Sequence, residues 1–398
     1  MRLEFEDYSF QEQENNVRVT YLTFFFFVIP KEEFTVLGDV SFDGNAILFD
    51  RGDEKNAIKK VSLLFSKYKK SLRYKINNNP AILVDRDNPI PLLGLQFLGI
   101  VDKGSEMIEL KPITNCNMNC VFCSVDEGPD SRKQVDFVIE PGYFLDEFTS
   151  FMAQKNEGKY DLWINPHGEP LLYAPIVELV HGLKEHSKVG KVVVITNGML
   201  LTEKLVDDLA QAGLDRFSIS FHSPNPENSQ KIFGTKAYNV EKVKKMVEYA
   251  AKKIKVVLTP VYIQGMNEKE MSDVIDWANA LDVTVQIQKF CINKMGRNPI
   301  KEQGWETFFE ELKKIEKETN TVLIQPLGKL VETGELPKPF KKDETIEVEI
   351  LCSGRLSRDK IGRASDRAVL VLNCPKEKGK VKVRLIQSKH NIFVGVLK

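Results

Sequence analysis

Three cysteines fall within eight positions, as Cys116-Asn-Met-Asn-Cys120-Val-Phe-Cys123, and in a reducing compartment such a cluster favours metal over disulfide. An iron-sulfur cubane has four irons, so three protein thiolates leave one iron open, a vacancy useful for ligating and reducing a small molecule. Structural zinc wants a fourth ligand, and no further Cys or His lies close by in sequence, although His167 could arrive through the fold. A group of buried cysteines without metal is the third reading. Only six cysteines occur in 398 residues, too few for a disulfide scaffold, which points to a cytoplasmic protein.

The elements around this cluster set its place. From Met107 onward, short apolar or β-branched runs (IELKPIT, YDLWIN, KVVVIT, RFSISF, KVVLTPVYI, VTVQIQKF) alternate with helix-length amphipathic stretches. Six such strands predict an α/β fold, a partial (β/α)6 barrel short of the eight strands of a closed one, with its chemistry at the C-terminal strand ends. The cysteines follow the first strand. Asn165-Pro166-His167-Gly168-Glu169-Pro170 follows the second, and Thr196-Asn197-Gly198 ends the third. Ser218 and Ser220 alternate on the fourth and so share a face, with backbone satisfaction as the plain alternative for each hydroxyl. Asn267 and Glu270 predict a capping box opening the helix after the fifth strand. Trp305, Phe308, Phe309 and Leu312 recur at helical spacing and predict a core stripe.

With Phe122 ahead of the last cysteine, the CxxxCxxC pattern resembles the radical S-adenosylmethionine (SAM) superfamily, over about residues 107–290. The resemblance implies that Cys116, Cys120 and Cys123 hold a 4Fe-4S cluster. Its open iron would bind the amino and carboxylate groups of SAM, and an electron from the cluster would cleave SAM to methionine and a 5′-deoxyadenosyl radical that takes hydrogen from substrate. The Asn165–Pro170 segment is similar to the family's Gly-Gly-Glu-Pro-like motif, with His167 in place of the first Gly. It implies SAM-ammonium contacts from His167, Gly168, Glu169 and Pro170. Thr196, Asn197, Ser218 and Ser220 are implied partners of the SAM carboxylate or ribose, and Val261 and Ile263 of its adenine. A ferredoxin or flavodoxin is the implied electron donor. No catalytic side chain is assigned.

Two flanks complete the chain. Residues 1–105 predict an N-terminal β-rich domain, with strand-like runs at 17–29, 34–49 and 92–100 around a helix at 57–72, and contain no cysteine. Residues 106–300 form the barrel, and 301–344 a helical extension and linker. Residues 345–398 hold strand-like runs at 346–351, 368–372, 381–386 and 392–397, which predict a small C-terminal β-barrel. This last segment has 12 Lys and Arg against 5 Asp and Glu, in a chain whose 56 basic and 56 acidic residues balance. A basic end on an otherwise acidic chain is a polyanion footprint. It resembles a TRAM domain, an RNA-gripping barrel of tRNA-modifying enzymes, which implies phosphate contacts from Arg355, Arg358, Lys360, Arg363 and Arg367.

The combined expectation is a radical SAM enzyme that modifies a nucleotide of tRNA or another structured RNA. The methylthiotransferases that carry TRAM domains have three more cluster cysteines in an N-terminal domain. Residues 1–115 here have none, which disfavours simple methylthiolation. Two alternatives stand: a radical SAM enzyme acting on a peptide or small metabolite, and a non-catalytic RNA-binding iron-sulfur redox sensor. Cys291, Cys352 and Cys374 are scattered, and are small hydrophobes, ligands of a second cluster or a methyl-carrying pair. The longest apolar run, 21–30, has about half of the ~20 residues that cross a bilayer, and acidic residues precede it, so no membrane partner or export is expected.

Overall fold

The computed structural model describes residues 1–50, 53–324 and 330–398. Residues 325–329, within the expected linker, lie outside it. All six expected barrel strands form: β1 (Met107–Lys111), β2 (Tyr160–Ile164), β3 (Val189–Thr196), β4 (Arg216–Ile219), β5 (Lys255–Leu258) and β6 (Thr284–Val285). They lie side by side in chain order, each parallel to the next. Register explains their composition. Leu110, Ile164, Val194, Phe217 and Val256 form one row across the sheet, and all five are buried, as a face packed in the core requires. The adjacent row points to the other face and carries Glu109, Trp163 and Arg216, whose guanidinium lies 4.5 Å over the Trp163 ring.

Helices Ile176–Lys184, Glu203–Gln211, Val240–Ala250 and Met271–Ala280 connect these strands. Thr202 and Asn239 cap two of them, accepting from Leu205 N at 3.1 Å and Lys242 N at 3.0 Å. The capping box expected at Asn267 does not form. The Asn267 side chain instead accepts from Ile263 N at 2.8 Å and donates to the carbonyls of His222 and Val261, both at 2.9 Å, so it ties two strand ends together. Of the stripe expected on helix Trp305–Thr319, Phe308 and Leu312 are buried, whereas Trp305 and Phe309 are exposed and stack on each other.

The N-terminal residues are β-rich, with a four-stranded and a three-stranded sheet. The expected run 17–29 is a hairpin of Asn16–Tyr21 and Phe25–Pro30, broken where Leu22 and Thr23 take φ of 46° and 64°. The run 34–49 is a 3-10 turn followed by a hairpin, and 92–100 is extended only from Gly99. Gly99–Asp102 pairs antiparallel with β1, and Ala81–Val84 pairs with Asp136–Ile139, so the first 105 residues share two sheets with the barrel unit.

At the other end a closed five-stranded barrel forms from β7 (Thr345–Ser353), β8 (Lys360–Ala364), β9 (Arg367–Leu372), β10 (Gly379–Gln387) and β11 (Val394–Leu397). Strand β8 lies outside the strand-like runs read from the sequence. Backbone contacts hold this barrel in place: Ala368 N donates to Leu93 O at 2.7 Å and Phe393 N to Gly94 O at 2.9 Å. Gly94 has φ +129°, and a Cβ there would lie 2.0 Å from Ala368 O, so only glycine permits the approach. Among the described residues no helix is long and apolar enough to cross a membrane.

Candidate active site

The cysteine loop leaves the C-terminal end of β1 and is held by other elements. Asn119 N and Val121 N each donate at 3.0 Å, to Phe233 O and Ile232 O respectively. Gly234, at φ +66°, lets its backbone approach, since a Cβ would lie 2.1 Å from Asn119 O. Arg297, reaching in after the sixth strand, donates to the carbonyls of Cys120 (3.2 Å) and Glu127 (3.0 Å) and to the Asp126 carboxylate (2.9 Å). Its own backbone N–H donates to Cys123 O at 2.8 Å. The three cysteines are each half-buried and unbridged. Burial pushes the Cys116 thiol up to about 12, so a thiolate there at neutral pH needs the positive charge of a metal.

The loops after β2 and β3 are knitted to this one. Glu169 N donates to Asn115 O at 2.7 Å, and a Cβ on Gly168, at φ +150°, would lie 2.0 Å from that same oxygen. The Glu169 carboxylate is buried and accepts from Leu171 N (3.0 Å), Thr196 Oγ1 (2.6 Å) and Asn197 N (2.8 Å). Every one of these donors is neutral. Burial therefore outweighs them and raises Glu169 to about 7. Asn197 reaches the cysteine loop itself, donating to Asn117 Oδ1 at 2.9 Å. Pro170 opens a buried 3-10 turn beside Glu169.

Residues 110–278 match the Radical SAM superfamily. The chain is 30% identical over 407 residues to an uncharacterised protein of Methanocaldococcus jannaschii, covering 93% of this chain and 92% of the relative. This chain belongs to the radical SAM superfamily. It is also 32% identical over 189 residues to the GTP 3′,8-cyclase of Limosilactobacillus fermentum, which covers 46% of this chain and 54% of that protein. The chain thus spans about half the length of that cyclase. A solved structure of Streptococcus suis SuiB bound to S-adenosylmethionine covers 80% of this chain and 69% of its own, at 15% identity and a TM-score of 0.42.

The cofactors of a radical SAM protein are a 4Fe-4S cluster and SAM, and the local chemistry fits both. Among the described residues no three Cys, His, Asp or Glu side chains converge as the ligands of a single ion must, whereas each thiolate of a cubane reaches its own iron. His167, the fourth ligand that zinc would need, turns to Arg355, whose Nη1 donates to Nδ1 at 3.2 Å. Buried polar atoms without partners gather nearby: both ends of the Asn115 amide, Ser218 Oγ and His222 Nε2. Such atoms are rare in a finished core and common where a ligand completes it. Ser220 lies just past β4, half-buried, with its N–H on Thr196 O at 2.8 Å. Ile263 is buried and Val261 half-buried, Val261 N donating to His222 Nδ1 at 3.0 Å.

The basic residues expected to face RNA do not form one surface. Arg355 is buried in an ion pair with Glu127, Lys360 pairs with Glu377 at 2.7 Å, and Arg367 pairs with Asp366. Their side chains retain only 13%, 7% and 4% of their exposure. Lys360 and Arg367 sit on strands β8 and β9. Arg363 is open but paired with Glu349 at 2.9 Å, and Arg358 is exposed at a turn.

Arg297 and Asn117 were missed. Asn117 lay in plain view between two cysteines. Arg297 has no spacing relation to them, and its only sequence signal is the preceding Gly296, where a Cβ would lie 2.8 Å from Cys123 O.

Proposed function

We propose that Cys116, Cys120 and Cys123 ligate the cluster, and that Gly168, Glu169, Thr196, Asn197 and Ser218 form the cradle for SAM. Val261 and Ile263 would flank its adenine. Together, cluster and SAM supply a 5′-deoxyadenosyl radical for hydrogen abstraction. The observation that carries the reading is the buried Glu169 carboxylate: it has three neutral donors and no cation, and it stands hydrogen-bonded to the loops of two neighbouring strands. The N–H groups of a SAM amino group, polarised when its nitrogen ligates the cluster iron, are the partners such a group lacks. Residues 106–300 are then the catalytic unit and 345–398 a wall against it, joined by 301–344, with 1–105 a β-rich flank. A ferredoxin or flavodoxin would supply the electron.

We take the substrate to be a small molecule. The GTP 3′,8-cyclase relatives act on a nucleotide by name, but their likeness covers only 46% and 47% of this chain. A nucleotide of tRNA or another structured RNA is the second reading, favoured by the basic excess of residues 345–398 and by exposed Arg358 and Lys382. The test is anaerobic reconstitution with iron, sulfide, dithionite and SAM, and chromatography for 5′-deoxyadenosine. We expect the product with wild-type protein, no stimulation by bulk tRNA, and none with Cys120→Ala at unchanged circular dichroism. Normal yield from Cys120→Ala would reject the cluster assignment, and strong stimulation by tRNA would reinstate the RNA substrate.

A further inference from the structure

A cavity of about 570 Å³ opens where four parts of the chain meet: the segment at Phe97, the cysteine-loop residues Ser124 and Val125, the strand ends at Lys111 and His167, and the C-terminal barrel at Arg355 and Leu370. Its volume is that of a small-molecule site. Glu169, Asn197, Ser218 and Val261 do not line it, so it is separate from the cradle described above.

One wall is apolar on the face of a strand that solvent would make polar. Along β9, Val369 and Val371 fill the C-terminal barrel's own core, so Leu370 and Leu372 point outward, where they are half-buried and line the cavity with Phe393. The opposite wall is cationic. Of its five cations, Lys111 pairs with Glu109 at 2.8 Å, Arg132 with Asp126 at 2.6 Å, and Lys133 and Arg355 with Glu127, while Lys294 is exposed and makes no ion pair among the described residues.

The imidazole of His167 presents a defined donor here. Arginine only donates, so Nδ1 must accept from Arg355 Nη1, and the ring proton of the neutral form sits on Nε2. Nε2 has no hydrogen bond among the described residues and is not among their buried unpartnered atoms, which leaves it open to the cavity. Burial, with Lys111, Arg355 and Lys133 nearby, holds the ring well below its ordinary pKa, so the donor persists at neutral pH.

We propose that this cavity binds a small organic anion with an apolar ring, its acid group toward His167 and Lys294 and its ring against Leu370 and Leu372. Ser124 and Val125 directly follow Cys123, so the ligand lies against the cysteine loop. Calling it the substrate rests on the radical SAM reading above; the site itself does not.

The test is fluorescence titration of the full chain with 8-anilinonaphthalene-1-sulfonate, a ring system bearing an anionic group. N-phenyl-1-naphthylamine, which has the rings without the charge, serves as the comparison. We expect one saturable sulfonate site per chain, at least tenfold weaker binding of the neutral probe, and at least tenfold weaker sulfonate binding when Leu370→Trp fills the cavity. Leu372→Trp, checked for its thermal midpoint, covers the case in which the first variant fails to fold. Sulfonate binding unchanged by both tryptophans, or equal binding of the two probes, would overturn the proposal. If the sulfonate results hold but wild-type protein forms no 5′-deoxyadenosine, the binding site stands and its role as a substrate site falls.

Discussion

Glu127 and Glu169 are both buried carboxylates beside the cysteine loop, and burial raises both to about 7, yet their surroundings are opposite. Glu127 ion-pairs with Lys133 and Arg355, and Lys133 also binds Asp136 at 2.7 Å and donates to Thr114 O at 2.7 Å. Cation and anion there complete each other, and the cluster ties the cysteine loop to the C-terminal barrel. Glu169 has only N–H and O–H donors. A buried charge satisfied by charge is a structural device, while one left with neutral donors is held ready for a partner from outside.

Stability separates the two most strongly. Glu127→Ala leaves Lys133 and Arg355 buried with less countercharge, and removal of one partner from a buried pair costs about 3–5 kcal/mol. We expect urea unfolding to show a loss of that size. Glu169→Gln removes a buried charge but turns an amide N–H toward the Asn197 N–H, and we expect these to offset to within about 1 kcal/mol. Equal losses from both substitutions would erase the distinction between the regions.

Much of the region around Glu169 was legible in the sequence, and little of that around Glu127. The barrel strands and the Glu169 motif could be read because parallel strands announce themselves by β-branched runs, and the motifs sit at their ends, where local chain order fixes position. Ser218 was read as a polar residue on an apolar strand, and its side chain is buried there. Glu127, Arg355 and Arg297 could not be assigned, because their partners are 228 and 170 or so residues away and no periodicity relates them. The same limit misled the reading of residues 345–398. A count of basic residues takes no account of burial, and the side chains of Lys360 and Arg367 are nearly covered once β8 and β9 close the barrel.

A smaller effect sharpens the comparison through pH. Glu169 has its ordinary carboxyl value of 4.5 when unfolded and about 7 when folded. The folded state therefore holds the extra proton between these values, and the contribution of Glu169 to stability is full below about 4.5 and lost as pH rises through about 7. The N–H donors of an iron-bound amino group beside it would favour the ionised form, so protons and SAM compete. We expect SAM affinity, measured by calorimetry on reconstituted protein, to rise up to about tenfold per unit as pH approaches 7 and then level off. Glu169→Gln should bind SAM roughly tenfold more weakly and show little of this dependence. The same rise in Glu169→Gln would assign the titration elsewhere, Glu127 being the first candidate, and Glu127→Gln would then remove it.

The smallest expected effect concerns the C-terminal barrel, whose Arg355 belongs to the completed charge cluster and whose open cations include Arg358, Lys376, Lys378, Lys382, Lys389 and Lys398. Each phosphate neutralised on duplex nucleic acid adds about 0.9 to the slope of log affinity against log salt. Arg358 and Lys382 are two of the exposed cations that make no ion pair among the described residues, so they can reach a phosphate. If the barrel is a wall of the small-molecule cavity, the double substitution Arg358→Ala, Lys382→Ala leaves the slope for bulk tRNA unchanged and its affinity within about twofold. A slope shallower by one to two would mean that these cations do bind phosphates. The barrel would then carry two functions on opposite sides, with Leu370 and Arg355 facing the cavity and Lys382 facing RNA.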